Sequence, residues 1–234
     1  MENHLTLLLD DRNRQLWETI NSKFDVQLEK SPEPNYRTRV NNDIAIIGID
    51  TNNINPSSFT HELLHVLLKA KKLNIVEDFY NAIRNSENAN GVFSTGLKEH
   101  VTNCLEHVII LPIFLKMGFK NEEFISDYSE KKMNNRLMTK LQETFKIGNS
   151  YNLIAVDFYI GKFFAMKSCN NSSFNYTKYY EKFKKLDPQL FQLLDDFWND
   201  WLTFEIDNPN DSYDEMLELF LTDLTKWLRN KNIT

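Results

Sequence analysis

Ile44-Ala45-Ile46-Ile47-Gly48-Ile49, a polar loop from Thr51 to Pro56, and then Phe59-Thr60-His61-Glu62-Leu63-Leu64-His65 are the stretches on which the reading of this chain turns. The first is short, apolar and β-branched, and it predicts a buried strand. The last opens a helix that continues through Val66-Leu67-Leu68 to about Lys72, with Ser57, Ser58 or Thr60 available as its cap. Positions i and i+4 lie one turn apart on the same helix face. His61 and His65 can therefore aim two imidazole nitrogens at one point.

Upstream, Asp10 or Asp11 can cap a helix running to about Asn21, with Leu16, Trp17 and Ile20 on its inner face. Phe24 to Leu28 and Tyr36 to Val40 read as strands, separated by the turn chemistry of Ser31-Pro32-Glu33-Pro34-Asn35. Downstream, helices are predicted from Ile75 to Arg84 and from about Leu97 to Met117, with a polar loop at Asn85 to Gly91 between them. Gly118 stops the second of these helices and Pro112 lies inside it, where a kink is expected. Everything after Asn121 is helical in pattern, including Lys131 to Lys146, Leu153 to Met166, Pro188 to Trp201 and Tyr213 to Leu228. Turn clusters at Gly148-Asn149-Ser150, Asn170 to Ser173 and Asn208-Pro209-Asn210 divide it. The expected fold is α+β: a mostly helical domain with a small sheet near the N-terminus. A single domain over 1–234 is expected, its core about 24–119 and its helical C-terminal part about 121–234.

Lys and Arg total 27 against 33 Asp and Glu, a net charge of −6, which argues against a nucleic-acid partner. Hydrophobic content of 41% implies a packed chain. Cys104 and Cys169 lie in no CxxC pair, the N-terminus lacks the basic flank and cleavage site of a secretion signal, and no apolar run reaches membrane-span length. The chain therefore reads as cytoplasmic, with reduced thiols and no membrane partner. The sequence carries no reading of oligomeric state.

The pattern His-Glu-x-x-His assigns distinct chemistry to each residue. Two imidazoles bind Zn2+, whose catalytic sites keep three protein ligands and leave a position for water. Glu62, beside the metal but turned from it, takes a proton from the attacking water and hands it to the leaving amine. Shuffled sequences of this composition would contain such a pentad roughly once per hundred. The apolar neighbours Leu63, Leu64, Val66, Leu67 and Leu68 add weight, because a buried helix makes unpaired imidazoles and a carboxylate costly. A partly exposed helix with no metal is the plainer alternative. A di-iron bundle needs a second Glu-x-x-His, and none follows downstream.

The third ligand should come from the helix at Leu97 to Met117, which offers Glu99, His100, Glu106 and His107. Its apolar stripe runs through Leu97, Val101, Cys104, Leu105, Val108 and Leu111. His100, Asn103 and His107 flank that stripe, and Glu99 and Glu106 lie farther round. Geometry favours His107, with Asn103 one turn earlier orienting it. Glu99 and Glu106 are the alternatives, and His100 or a tyrosine is available to stabilise an oxyanion.

The motif helix, following a strand and a polar loop, resembles the zincin metallopeptidases of the ImmA/IrrE type. That family's later signature, Glu-x-x-Ala-Asn-x-Phe-Ala-x-x-Leu-Leu-x-Pro, is matched here at Glu99, Asn103, the aliphatic pair Ile109-Ile110 and Pro112. Leu64 replaces a usual Gly, Thr102 an Ala and Glu106 a small residue. The resemblance spans about Ile44 to Phe119 and implies Glu99 as third ligand. Asn103-x-x-x-His107 with Pro112 and Met117-Gly118-Phe119 also looks like a divergent branch of phage-related and uncharacterised bacterial proteins, in which the histidine would be the ligand. The resemblance implies a zinc-dependent peptidase cleaving a protein or peptide substrate, a transcriptional repressor among them. In such a peptidase Ile44 to Ile49 is available to align substrate as an added strand. The alternative is a regulatory protein-binding module with a structural or vestigial zinc site.

Overall fold

The computed structural model describes residues 2–208, 212–231 and 233. In chain order the elements are α1 (Glu2–Leu8), α2 (Arg14–Asn21), β1 (Asp25–Lys30), β2 (Arg37–Asn41), β3 (Ile44–Ile49), α3 (Pro56–Ala70), α4 (Ile75–Asn85), α5 (Glu87–Val92) and α6 (Thr95–Lys116). A 3-10 turn (Asn121–Glu123) precedes α7 (Asn135–Thr144), the short pair β4 (Lys146–Ile147) and β5 (Ser150–Tyr151), α8 (Leu153–Lys167), α9 (Thr177–Leu186), α10 (Pro188–Trp201) and α11 (Asp214–Arg229). The fold class is α+β. The chain forms two compact units, Met1–Asn74 with Ile109–Ser129, and Ile75–Val108 with Glu130–Thr234. The long helix α6 belongs to both.

In the first unit the sheet order is β1-β3-β2, with β1 parallel and β2 antiparallel to β3. The register pairs Leu28 and Thr38 with Ile47, and Val26 and Val40 with Ala45. Ala45, Ile47 and Ile49 bury one face of β3 completely against Phe59, Leu63 and Val66 of α3, with Leu8 and Ile20 closing the same core. Because β3 is the central strand, both its edges are already paired. The expectation that Ile44 to Ile49 takes an added substrate strand is therefore overturned; the sheet edges are β1 and β2.

Two caps differ from expectation. Asn55, not Ser57, Ser58 or Thr60, caps α3: its Oδ1 accepts from Ser57 N at 2.9 Å and Ser58 N at 3.2 Å, and Pro56 takes the first helical position, where its missing N–H costs nothing. Neither Asp10 nor Asp11 caps α2. The Asp10 side chain instead accepts from Arg12 N at 2.8 Å and from the Arg12 guanidinium, closing a turn before the helix. The residue that locks this turn into the core is Asn13, which is fully buried. Its amide donates to Leu8 O and to Thr60 Oγ1, both at 2.9 Å, and its Oδ1 accepts from Asp10 N at 2.9 Å. Asn13 thus ties α1 and α2 to the motif helix.

In the second unit the buried carboxylate of Asp187, 2% exposed, organises the helices. One oxygen caps α10 through Gln189 N (3.0 Å) and Leu190 N (2.8 Å), and the other accepts from Tyr151 Oη (2.8 Å) and Trp227 Nε1 (3.1 Å). Burial, followed by this bond to Asp187, pushes the Tyr151 pKa well above its usual value. The segment expected as a loop at Asn85 to Gly91 instead holds α5, with Ala89, Val92 and Phe93 buried. Conversely Asn121 to Asn134, expected to be helical, contains only the 3-10 turn and irregular chain. Of the expected turn at Asn208-Pro209-Asn210, Pro209 and Asn210 lie outside the described residues. No helix among the described residues is long and apolar enough to cross a membrane.

Candidate metal centre

The site begins on α3. Asn55 and Pro56 fix where the helix starts, and the burial of Phe59, Leu63 and Val66 against the sheet fixes its rotation. That rotation leaves His61 and Glu62 nearly buried, each 9% exposed, while His65, one turn on, remains half-buried. The two Nε2 atoms lie 3.1 Å apart. Two nitrogens bound tetrahedrally at about 2.0–2.1 Å would stand roughly 3.3 Å apart, so the spacing fits one shared ion. A single N–H···N hydrogen bond also fits it.

A third histidine bears on the choice. His107 on α6 supplies a ring nitrogen that lies, with those of His61 and His65, in a group whose members are all within 4.8 Å of one another. His107 stands directly before Val108 and Ile109, on a helix that runs unbroken from Thr95 to Lys116. Three imidazoles so grouped could hold a metal ion, and imidazole nitrogen suits borderline metals, zinc among them. The chemistry of the set suits the metal in another respect: ligand histidines must be neutral. Burial holds the His61 pKa well below its usual value, and the neighbouring His65 lowers it further. The Phe124 backbone acts weakly the other way.

The other expected site residues are placed differently. Glu99, Asn103 and His100 are exposed on α6. His100 points its Nε2 at the Gly161 carbonyl, 3.1 Å away, and lies 3.8 Å from Cys104 Sγ. Glu106 is buried, 6% exposed, where the sequence placed it on the outer side of the helix. The reason is that α6 is covered along a second row, Thr102, Glu106 and Ile110, spaced four apart, beside the apolar stripe. Neither Glu99 nor Glu106 joins the three-histidine group.

One neighbour of the site lay beyond local sequence reasoning. The Phe124 ring centroid is 4.6 Å from that of His61 at an interplanar angle of 54°. Phe124 follows Gly118 and the 3-10 turn, in a segment with no helical or strand periodicity to mark it. No protein-family model, curated protein or solved structure matches the chain.

Proposed function

We propose that the protein is a zinc-dependent peptidase of the HExxH type, cleaving a protein or peptide substrate. The observation that carries this reading is the grouping of His61, His65 and His107, with the nearly buried Glu62 next to His61 in the chain. A zinc ion held by the three histidines would supply Lewis acidity and make a bound water acidic near neutral pH. Glu62 is the only carboxylate of the pentad and follows His61 directly in the chain. Its task is to accept the proton of the attacking water and return it to the leaving amine. His61, His65 and His107 serve as neutral ligands. Glu99 has no part in the site on this reading, which follows the divergent branch of the ImmA/IrrE resemblance in preference to the family's glutamate. A cytoplasmic location and a repressor as substrate rest on the resemblance and on the sequence reading alone.

The group contains three protein ligands among the described residues. That number supports a catalytic site over a closed four-ligand structural one. The test is exposure of the zinc-loaded protein to a proteome-derived peptide library, with cleavage read by mass spectrometry. New termini that vanish when the metal is chelated and return with added zinc are the expected result. A library left intact by the zinc-loaded protein would contradict the peptidase reading.

A further inference from the structure

The chain that leaves α6 does not simply connect to the next helix. Gly118 turns it with φ +92°, and Glu123 closes the 3-10 turn, its Oε2 accepting from Lys120 N at 2.7 Å and its N–H donating to Lys120 O at 3.0 Å. The turn aligns three buried phenylalanines in the first unit. Phe119 stacks on Phe114 at 4.7 Å and 20°, and Phe114 meets Phe124 edge-on at 5.2 Å and 66°. Phe124 in turn packs on the His61 ring. The far end of this row is fixed electrostatically. The Arg12 guanidinium lies 3.9 Å above Phe119 and is itself gripped by Asp10 at 2.6 Å.

We propose that Phe124 is a positioning residue for the metal site, setting the ring orientation of His61. An imidazole on a helix keeps freedom about its second side-chain torsion, which is broad for aromatic rings. The plane of the ring decides whether Nε2 points at the ion or past it. Metal proteins commonly fix that plane with an oxygen acceptor on the ligand's other nitrogen. Here a packed aromatic face, carried on a segment that α6 itself delivers, also restricts the ring, and Phe114, Phe119 and Arg12 hold that face in place. Edge-to-face and tilted aromatic pairs are attractive beyond the area they bury, so the contact favours one ring plane over others. The same helix thus carries His107 and returns the residue that orients His61.

The inference rests on the metal reading, and the test separates the two. Cobalt(II) is titrated into metal-free wild type, Phe124→Leu, Phe124→Met and Phe124→Tyr, with the visible absorption of the bound ion recorded alongside affinity. Folding of each variant is checked by thermal melting without metal. Leucine and methionine keep the apolar bulk but remove the ring; Phe124→Met serves where Phe124→Leu does not fold. The proposal expects wild type to give the intense visible bands of tetrahedral cobalt. It expects the Leu and Met variants to bind roughly ten- to a hundredfold more weakly with altered bands, and Tyr to restore both. Equal affinity and identical bands in wild type and the folded ring-less variants would overturn the positioning role and leave the metal site standing. Wild type without cobalt binding would overturn the metal reading itself, and the positioning role with it.

Discussion

Glu62 and His61 are adjacent in sequence and equally buried, yet the proposed mechanism asks opposite things of them. A base must hold a proton briefly, and a ligand must never hold one at its metal-facing nitrogen. Glu62→Gln should therefore keep the fold and the zinc but lose peptide cleavage by at least about a hundredfold, since glutamine preserves the shape and cannot accept the proton. Cleavage of the peptide library at the wild-type rate by zinc-loaded Glu62→Gln would remove Glu62 from the mechanism. His61 makes a prediction in the metal-free protein. Its folded pKa is lowered, mainly by burial, so below the ordinary histidine range the unfolded chain binds a proton that the folded chain refuses. Stability should be insensitive to this group above about pH 6.5 and fall below it, by at most about 1.4 kcal/mol per pH unit. Denaturant melts of metal-free wild type and His61→Gln between about pH 7.5 and 5.5 read the effect: the wild type should lose more stability on acidification. Parallel pH profiles would contradict it.

Among the elements, those with strong periodicity were legible in advance. The strand at 44–49 follows from a β-branched run and those at 25–30 and 37–41 from short polar/apolar alternation beside a proline-rich turn, and α10 was readable from Pro188 to Trp201. The pairing order was not, because nothing local says that β3 sits between β1 and β2; that order is decided by which strand offers the most apolar surface to the core. The helix α5 escaped because its sequence, Glu87-Asn88-Ala89-Asn90-Gly91-Val92, is poor in helix formers and is kept helical by burial of Ala89 and Val92. Of the site, His61, Glu62 and His65 were visible as a spacing and His107 as one choice among several. Phe124 was not visible, because it lies 63 positions after His61 in a segment without periodicity. Asn13 and Asp187 were hidden for a related reason, since a polar residue that will be buried looks like any turn residue until its partners are known. Both join elements, and both carry predictions. Asn13→Ala strips the Leu8 carbonyl and Thr60 hydroxyl of their donor and should cost about 2 kcal/mol. Asp187→Ala removes a helix cap and leaves the Tyr151 hydroxyl and the Trp227 indole N–H buried without their acceptor, and should cost about 3 kcal/mol or more. Urea unfolding of the two variants measures this, and a loss below about 0.5 kcal/mol in either would contradict the assigned network.

Taken as one chain, the protein runs its long helix through both compact units. The Ile109–Lys116 end of α6 belongs to the unit that holds the motif helix, and His107 lies two residues before that end begins. The HExxH pentad contains two imidazoles and a carboxylate, and His107 stands with the two imidazoles in a group of three ring nitrogens that could hold a metal ion. On the proposed reading these three histidines hold one zinc ion. The most direct measurement is the zinc content and zinc affinity of purified wild type, His61→Ala, His65→Ala, His107→Ala and Glu99→Ala, by elemental analysis and chelator competition. The account predicts close to one zinc per wild-type chain, its loss in His61→Ala and His65→Ala, affinity lower by several powers of ten in His107→Ala, and wild-type affinity in Glu99→Ala. Equal zinc content in wild type and all three histidine variants, or a large loss confined to Glu99→Ala, would contradict it.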